Sequence, residues 1–168
     1  KLYEFGKTYQ FKNPEAESVT KRYVEEKHLG MIISGNEKPE NWNQNPKEVD
    51  FFYLKSLVHR ILTKIQFFSR EVKAERSSNQ QFKEALVYTI RNKPVAEFGE
   101  LSAKLLKSFG IKQKAFYADF NWENIMKLSK QFDVQMEEIV KFPMVRRDLA
   151  LVVDKSVSFA DIETIALK

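Results

Sequence analysis

The chain has 168 residues, 43% of them hydrophobic and 14 of them phenylalanine, enough for one core of ordinary size and part of a second. Its 28 basic and 23 acidic residues leave a net charge of +5, a mild pull on polyanions that identifies no partner. The absence of cysteine excludes disulfides and thiolate metal sites and suits a cytoplasmic protein; no apolar run reaches the roughly 18 residues of a membrane helix.

Leu2 to Phe11 alternates, with Tyr3, Phe5, Tyr9 and Phe11 on one side, and predicts a half-buried strand. The charged stretch from Asn13 to Lys27 predicts a solvated loop. Leu29 to Ile33 is continuously apolar and predicts a central strand antiparallel to the first. Asn36 to Asn45, rich in asparagine and proline, predicts a surface loop. From Asp50 to Ile65 the apolar residues Phe51, Leu54, Leu57, Val58, Ile61, Leu62 and Ile65 recur at helical spacing. Either Asn45-Pro46 with Glu48 or Asp50 can start that helix.

Glu71 to Arg76 fits no single pattern, and Ser77 to Gln81 predicts a polar loop. Ala85 to Arg91 and Val95 to Leu101 predict a hairpin joined at Asn92-Lys93-Pro94, with the proline at a turn position. Leu105, Leu106 and Phe109 mark a short helix closed by Gly110. Lys114 to Phe120 alternates as a strand, Asn121 caps a helix to about Lys130, and Phe132, Val134 and Met136 suggest an edge strand. Pro143 then leads into Leu149 to Val153, five apolar residues between Asp148 and Asp154, which predict a strand buried on both faces. Ser158 and Asp161 form an S-x-x-D start signal, with Val157 and Ile162 at staple spacing, for a helix through Ile165. Antiparallel strands interspersed with helices predict an α+β body. A lone strand and helix at the end, with Lys1 at the start, predict a piece of a longer chain.

Chemistry-bearing constellations are few. The five glycines form no phosphate-cradling loop. His28 and His59 stand apart from metal-ligand spacing and are best explained as structural or surface residues, while Glu25-Glu26 and Glu137-Glu138 diverge on helix or strand and are best explained as solvated charge. No catalytic and no metal residue is predicted. Trp122, Tyr117 and Tyr88 can serve as a stacking platform or as sheet core, and core is the simpler use. Lys104, Lys107, Lys112 and Lys114 form a basic cluster that either meets phosphate or confers solubility. Arg146 and Arg147, with Lys141 nearby, are placed for RNA or interdomain contact, or for a local ion pair with Asp148.

Four stretches together carry a resemblance. Tyr3-Glu-Phe-Gly-Lys7 resembles an "F-E-[FI]-G-[KR]" strand, and Asn41-Trp42 before Asp50-Phe-Phe-Tyr-Leu-Lys55 resembles the approach to a "DFFDLKG" helix. Glu97-Phe-Gly-Glu-Leu101 resembles a "G-x-[IV]-G-x-[LI]-H-P" hairpin end, with Ser102-Ala103 in place of His-Pro. Phe142-Pro-Met-Val-Arg-Arg-Asp-Leu-Ala-Leu-Val-Val-Asp154 resembles the first strand of a ferredoxin-like anticodon-binding domain. In this order they are similar to the C-terminal part of the bacterial phenylalanyl-tRNA synthetase beta subunit.

The resemblance implies an antiparallel sheet flanked by helices over residues 1–140. That body would be a catalytically inactive copy of a class II aminoacyl-tRNA synthetase core, followed over residues 141–168 by a truncated ferredoxin-like domain. It implies a scaffold that supports the catalytic alpha subunit and helps position the tRNA for phenylalanine, without membrane or DNA partners. ATP and magnesium would serve the whole enzyme, with no cofactor held here. Phe5, Phe51, Phe52 and Leu54 become subunit-interface or core candidates, and Arg146, Arg147 and Lys141 RNA contacts. A working class II core also holds the ATP phosphate with an arginine on its long strand pair; here only Arg22, in the intervening loop, is near. The alternative is a stand-alone RNA-binding or protein-interaction module with no role in aminoacylation.

Overall fold

A computed structural model describes residues 1–65, 72–129, 142–143 and 145–166. They fall into two compact units, Lys1–Phe132 and Asp133–Lys168. The first unit is built on a six-stranded sheet: β1 (Leu2–Phe11), β2 (Tyr23–Ser34), β3 (Val72–Arg76), β4 (Phe82–Ile90), β5 (Lys93–Leu101) and β6 (Ala115–Asn121). The strands lie in the order β1-β2-β6-β5-β4-β3, and every neighbouring pair is antiparallel. Helices α1 (Phe51–Lys64), α2 (Ala103–Ser108) and α3 (Trp122–Ser129) complete the unit.

Alternation along the strands sorts their side chains onto two faces. Leu29 and Ile33 of β2, Phe116, Ala118 and Phe120 of β6, and Ala96 and Phe98 of β5 point to one face. There they pack with Leu54, Val58 and Leu62 of α1 and with Ile125 and Leu128 of α3. Phe98, Phe120, Leu54, Val58 and Ile125 are fully buried. The helical stripe thus forms as predicted, started by Asp50, whose carboxylate accepts the Tyr53 N–H at 2.7 Å. Within the stripe, Leu57 is only half-buried while Leu54 and Val58 are the central residues. Of the interface or core candidates, Leu54 is core, Phe51 is half-buried and stacks on Phe98 at 5.8 Å, and Phe52 stands 73% exposed.

Three local expectations need correction. The charged residues Tyr23 to Lys27 are strand, not loop: they extend β2 to pair with Lys7 to Phe11 of β1, and Lys7 meets Glu25 at 2.5 Å across the ladder. Charge does not oppose strand formation where both faces are wet. For the same reason β1 is a strand but not a half-buried one. Tyr3, Phe5, Tyr9 and Phe11 remain exposed on an edge strand, although Phe5 sets its ring edge-on to Trp122 at 4.9 Å. In the β4–β5 hairpin the turn residues are Arg91 and Asn92, with φ of 48° and 62°, and Pro94 lies inside β5 opposite Thr89. Two consecutive left-handed residues make the primed turn that matches strand twist, a geometry asparagine tolerates well. The unassigned segment Val72–Arg76 is edge strand β3.

The short helix α2 follows its expected grammar. Ser102 accepts the Leu105 N–H at 3.4 Å, and Gly110 sits at φ +69° after the last turn. The Gly110 and Ile111 N–H groups bond back to the Lys107 and Leu106 carbonyls at 3.1 and 2.9 Å, a complete Schellman closure. Asn121 caps α3 by accepting the Asn124 N–H at 2.9 Å.

In the second unit, Leu149 to Val153 belongs to no strand. Leu149, Leu151 and Val152 are exposed, against the expectation of burial on both faces. A buried strand needs partners for its N–H and C=O groups and for both side-chain faces, and the described residues offer none. Helix α4 (Phe159–Ala166) does form, and its S-x-x-D signal is a reciprocal capping box. The Ser158 Oγ accepts the Asp161 N–H at 3.3 Å, and the Asp161 carboxylate accepts the Ser158 N–H at 3.2 Å. The expected edge strand Phe132–Met136 and the Glu137-Glu138 pair lie outside the described residues.

Candidate functional site

The face of the sheet opposite α1 and α3 is where polar groups converge. Register places Glu4 and Gly6 of β1, His28 and Gly30 of β2, Tyr117 and Asp119 of β6, and Glu97 and Gly99 of β5 on it. Helix α2 covers one end: Leu101, Leu106 and Ala115 form a small cluster there with Ile32, Phe82 and Tyr117. Two glycines permit close approach. A methyl group on Gly30 would lie 2.8 Å from the Tyr117 hydroxyl, and one on Gly99 would lie 2.1 Å from the Glu84 carbonyl oxygen. Tyr117 therefore lies across β2, and its ring stacks near Phe82 at 6.5 Å.

The uncovered end holds a shallow hollow of about 260 Å³ whose lining includes His28, Glu97, Asp119 and Asn121. The His28 Nδ1–H donates to both oxygens of the Asp119 carboxylate, at 3.0 and 2.9 Å. Its Nε2 is buried without a hydrogen-bond partner, with the Glu26 carboxylate at 3.8 Å. Glu97, directly opposite Asp119, accepts from the Ser77 hydroxyl and from the Asn79 amide at 3.1 Å. Burial pushes the Asp119 carboxyl above its ordinary value; His28 pulls it back and Glu97 pushes it further up. The Tyr117 hydroxyl is raised by burial and then by the charges of Asp119 and Glu4.

This arrangement repels anions. Asp119 and Glu97 line a hollow whose one basic lining residue is the His28 imidazole, and Glu4 and Glu26 lie on the same face of the sheet. The long β1–β2 pair contains no arginine, and the Arg22 guanidinium donates to the Ala16 carbonyl at 2.9 Å in the loop between them. A triphosphate needs several converging cationic or N–H donors, and none converges here. Among the described residues no group of three or more His, Asp or Glu side chains is placed to hold a metal ion.

The predicted RNA contacts lie in the second unit. Arg146 forms an ion pair with Asp148 at 3.6 Å, with both side chains more than 90% exposed, and Arg147 is exposed. Lys141 lies outside the described residues. From the sequence, His28 is expected in a structural or surface place, with no chemistry. Its pairing with Asp119, far along the chain, leaves no signal in local spacing. Among the described residues no helix is long and apolar enough to cross a membrane.

Comparison with known proteins agrees with this architecture. The family model described as "Phenylalanyl tRNA synthetase beta chain CLM domain" matches residues 1–122. The phenylalanine–tRNA ligase beta subunit of Bacteroides thetaiotaomicron is 38% identical over 171 aligned positions, which cover 99% of this chain and 21% of that protein. The Porphyromonas gingivalis beta subunit is 32% identical over 168 positions, 98% of this chain and 20% of that one. The chain thus spans about a fifth of the length of the curated relatives it matches. Two solved structures of pyrrolysyl-tRNA synthetase from Desulfitobacterium hafniense align with TM-scores of 0.52 and 0.53 at 14% and 13% identity. Each alignment covers 77% of this chain and 41% of the other, a likeness of fold alone. By the match across the whole sheet, this chain belongs to the family of the phenylalanyl-tRNA synthetase beta chain CLM domain.

Proposed function

We propose that the chain is a noncatalytic scaffold of phenylalanine–tRNA ligase, the enzyme that attaches phenylalanine to its tRNA using ATP. Residues 1–140 would support the catalytic alpha subunit, and residues 141–168 would begin a ferredoxin-like domain that helps position tRNA, with Arg146, Arg147 and Lys141 as RNA contacts. ATP and magnesium then serve the whole enzyme rather than this part of it.

The carrying observation is the helix-free face. The fold is that of a synthetase core, yet its helix-free face presents Asp119 and Glu97 on the central strands and Glu4 on the edge strand, where adenylation chemistry needs cations. Such a face disfavours ATP by charge while the helix-covered side keeps a complete apolar core. The exposed aromatic edge of β1, with Tyr3, Phe5, Tyr9 and Phe11, supplies contact area of the kind protein interfaces use.

Co-expression with the alpha subunit from the same source, followed by mass measurement of what co-purifies, tests the proposal. A stable complex is expected, and the chain alone should show no phenylalanine-dependent ATP–pyrophosphate exchange. Exchange that survives removal of contaminating synthetase overturns the noncatalytic assignment. Failure of both this chain and a longer beta form containing it to bind alpha overturns the scaffold assignment.

A further inference from the structure

A second concavity, of about 710 Å³, lies beside α2 and shares no lining residue with the acidic hollow. Its volume falls within the roughly 300–1,000 Å³ typical of small-ligand sites. Lys83, Lys107, Lys112 and Lys114 line it, with Glu100 as the one carboxylate among the lining residues. Glu100 is already engaged: the Lys83 ammonium donates to both of its oxygens at 3.2 Å. Lys107, Lys112 and Lys114 are exposed and form no ion pair among the described residues. The cavity therefore carries uncompensated positive charge. Its floor is apolar, made by buried Leu101 and Leu106 and half-buried Ile111.

The lysines are held in place by the backbone. The Schellman closure at Gly110 and Ile111 turns the chain back after α2, so residues 112–114 return beside Lys107. At the other end, the Ser34 hydroxyl donates to the Lys114 carbonyl at 2.6 Å and ties the loop to β2. A loop pinned at both ends leaves the lysine side chains, rather than the backbone, to be ordered on binding. Cations around an apolar floor match a phosphate carrying a flat, weakly polar body. An extended acidic peptide would want a free strand edge, but β5 and β6 beside the concavity are each paired on both sides.

We propose that this concavity binds a nucleotide unit: Lys107, Lys112 and Lys114 take the phosphate, and the Leu101–Leu106–Ile111 floor takes the base. The phosphate can belong to a single-stranded RNA or to a free mononucleotide. The site stands apart from the scaffold proposal, because alpha-subunit association would survive its loss and it would survive the loss of that association.

Fluorescence anisotropy of the 168-residue chain with a labelled single-stranded RNA of about ten nucleotides tests it, a length within usual single-strand site sizes. Binding is expected at low salt. The combined Lys107→Gln, Lys112→Gln, Lys114→Gln variant should weaken it at least about tenfold and flatten the log–log salt slope by about 0.7, the value for one single-strand phosphate. A charge-matched variant, Lys12→Gln, Lys21→Gln, Lys64→Gln, should stay within about twofold of the parent, because its changes leave only the long-range field altered. Competition separates the sources. Displacement of the RNA by AMP shows that a mononucleotide suffices, whereas no displacement shows that the strand supplies the phosphate; both support the site. No RNA binding by the parent, or equal loss in the charge-matched variant, overturns the proposal. Where AMP displaces the RNA, equally effective displacement by inorganic phosphate overturns the role of the apolar floor.

Discussion

At the scale of single residues, the acidic hollow sets a pH dependence with a definite sign. Asp119 ionises in a half-buried position beside Glu97, so its folded-state carboxyl is held above its ordinary value despite His28. A raised carboxyl means that the folded state binds its proton more tightly than the unfolded chain does. That contribution is present below the unfolded value of about 3.9 and is lost as pH rises through the higher folded value. Asp119→Asn removes the titration. Relative to the parent, the variant should therefore gain stability as pH rises from below the ordinary carboxyl value of about 3.9 through the higher folded value. Urea unfolding of both proteins at several pH values checks this, and a relative loss over that range would show that the His28 pairing dominates burial.

Among the elements, α1 illustrates how a stripe divides its energy. Helical spacing marks seven apolar residues, but the axis of contact with β5 and β6 runs through Leu54, Val58 and Leu62. Leu54 is fully buried, so Leu54→Ala should cost about 2–5 kcal/mol, the range for deleting a buried leucine where the cavity does not collapse. Leu57 lies on the flank of the stripe with part of its surface in water, so Leu57→Ala should cost clearly less than Leu54→Ala. Chemical denaturation midpoints at equal slope report both, and equal losses would place the helix in a different rotation on the sheet. The same logic explains Phe52. It precedes Tyr53 and Leu54 on the helix but points outward, which periodicity permits and pairwise resemblance to a motif does not reveal.

For the whole molecule, the contrast lies between a sheet whose strands all find partners and a segment that does not. In the first unit β6 is paired on both sides and its Phe116, Ala118 and Phe120 are buried. In the second, Leu149 to Val153 is apolar and exposed, with no ladder among the described residues. Amides of Leu149 to Val153 should accordingly exchange with solvent within seconds to minutes in a monomer at neutral pH, while those of β6 approach the protection of global unfolding. Hydrogen exchange with mass-spectrometric readout checks this. Slow exchange at Leu149 to Val153 in a proven monomer would mean that the segment is paired.

Much of the architecture was legible because it is written locally. The caps at Asp50, Ser102, Asn121 and Ser158 are each satisfied within three residues, and the Gly110 closure within one helical turn. The alternation of β6 and the stripe of α1 needed only period and hydrophobicity. The resemblance carried by four short motifs was likewise visible in the chain. Tertiary structure decided what depends on distant partners. Whether β1 is buried depends on what covers it, since the alternation of Tyr3, Phe5, Tyr9 and Phe11 is the same in either case. Charged Glu25, Glu26 and Lys27 join a strand because β1 offers a ladder beside them. The acidic hollow exists because β2, β5 and β6 bring His28, Glu97 and Asp119 to one face across long stretches of chain, and the lysine-lined concavity because a left-handed glycine returns residues 112–114 toward α2. Spacing specifies which side of an element is apolar; only the packed sheet decides which apolar sides are covered and which polar ones meet.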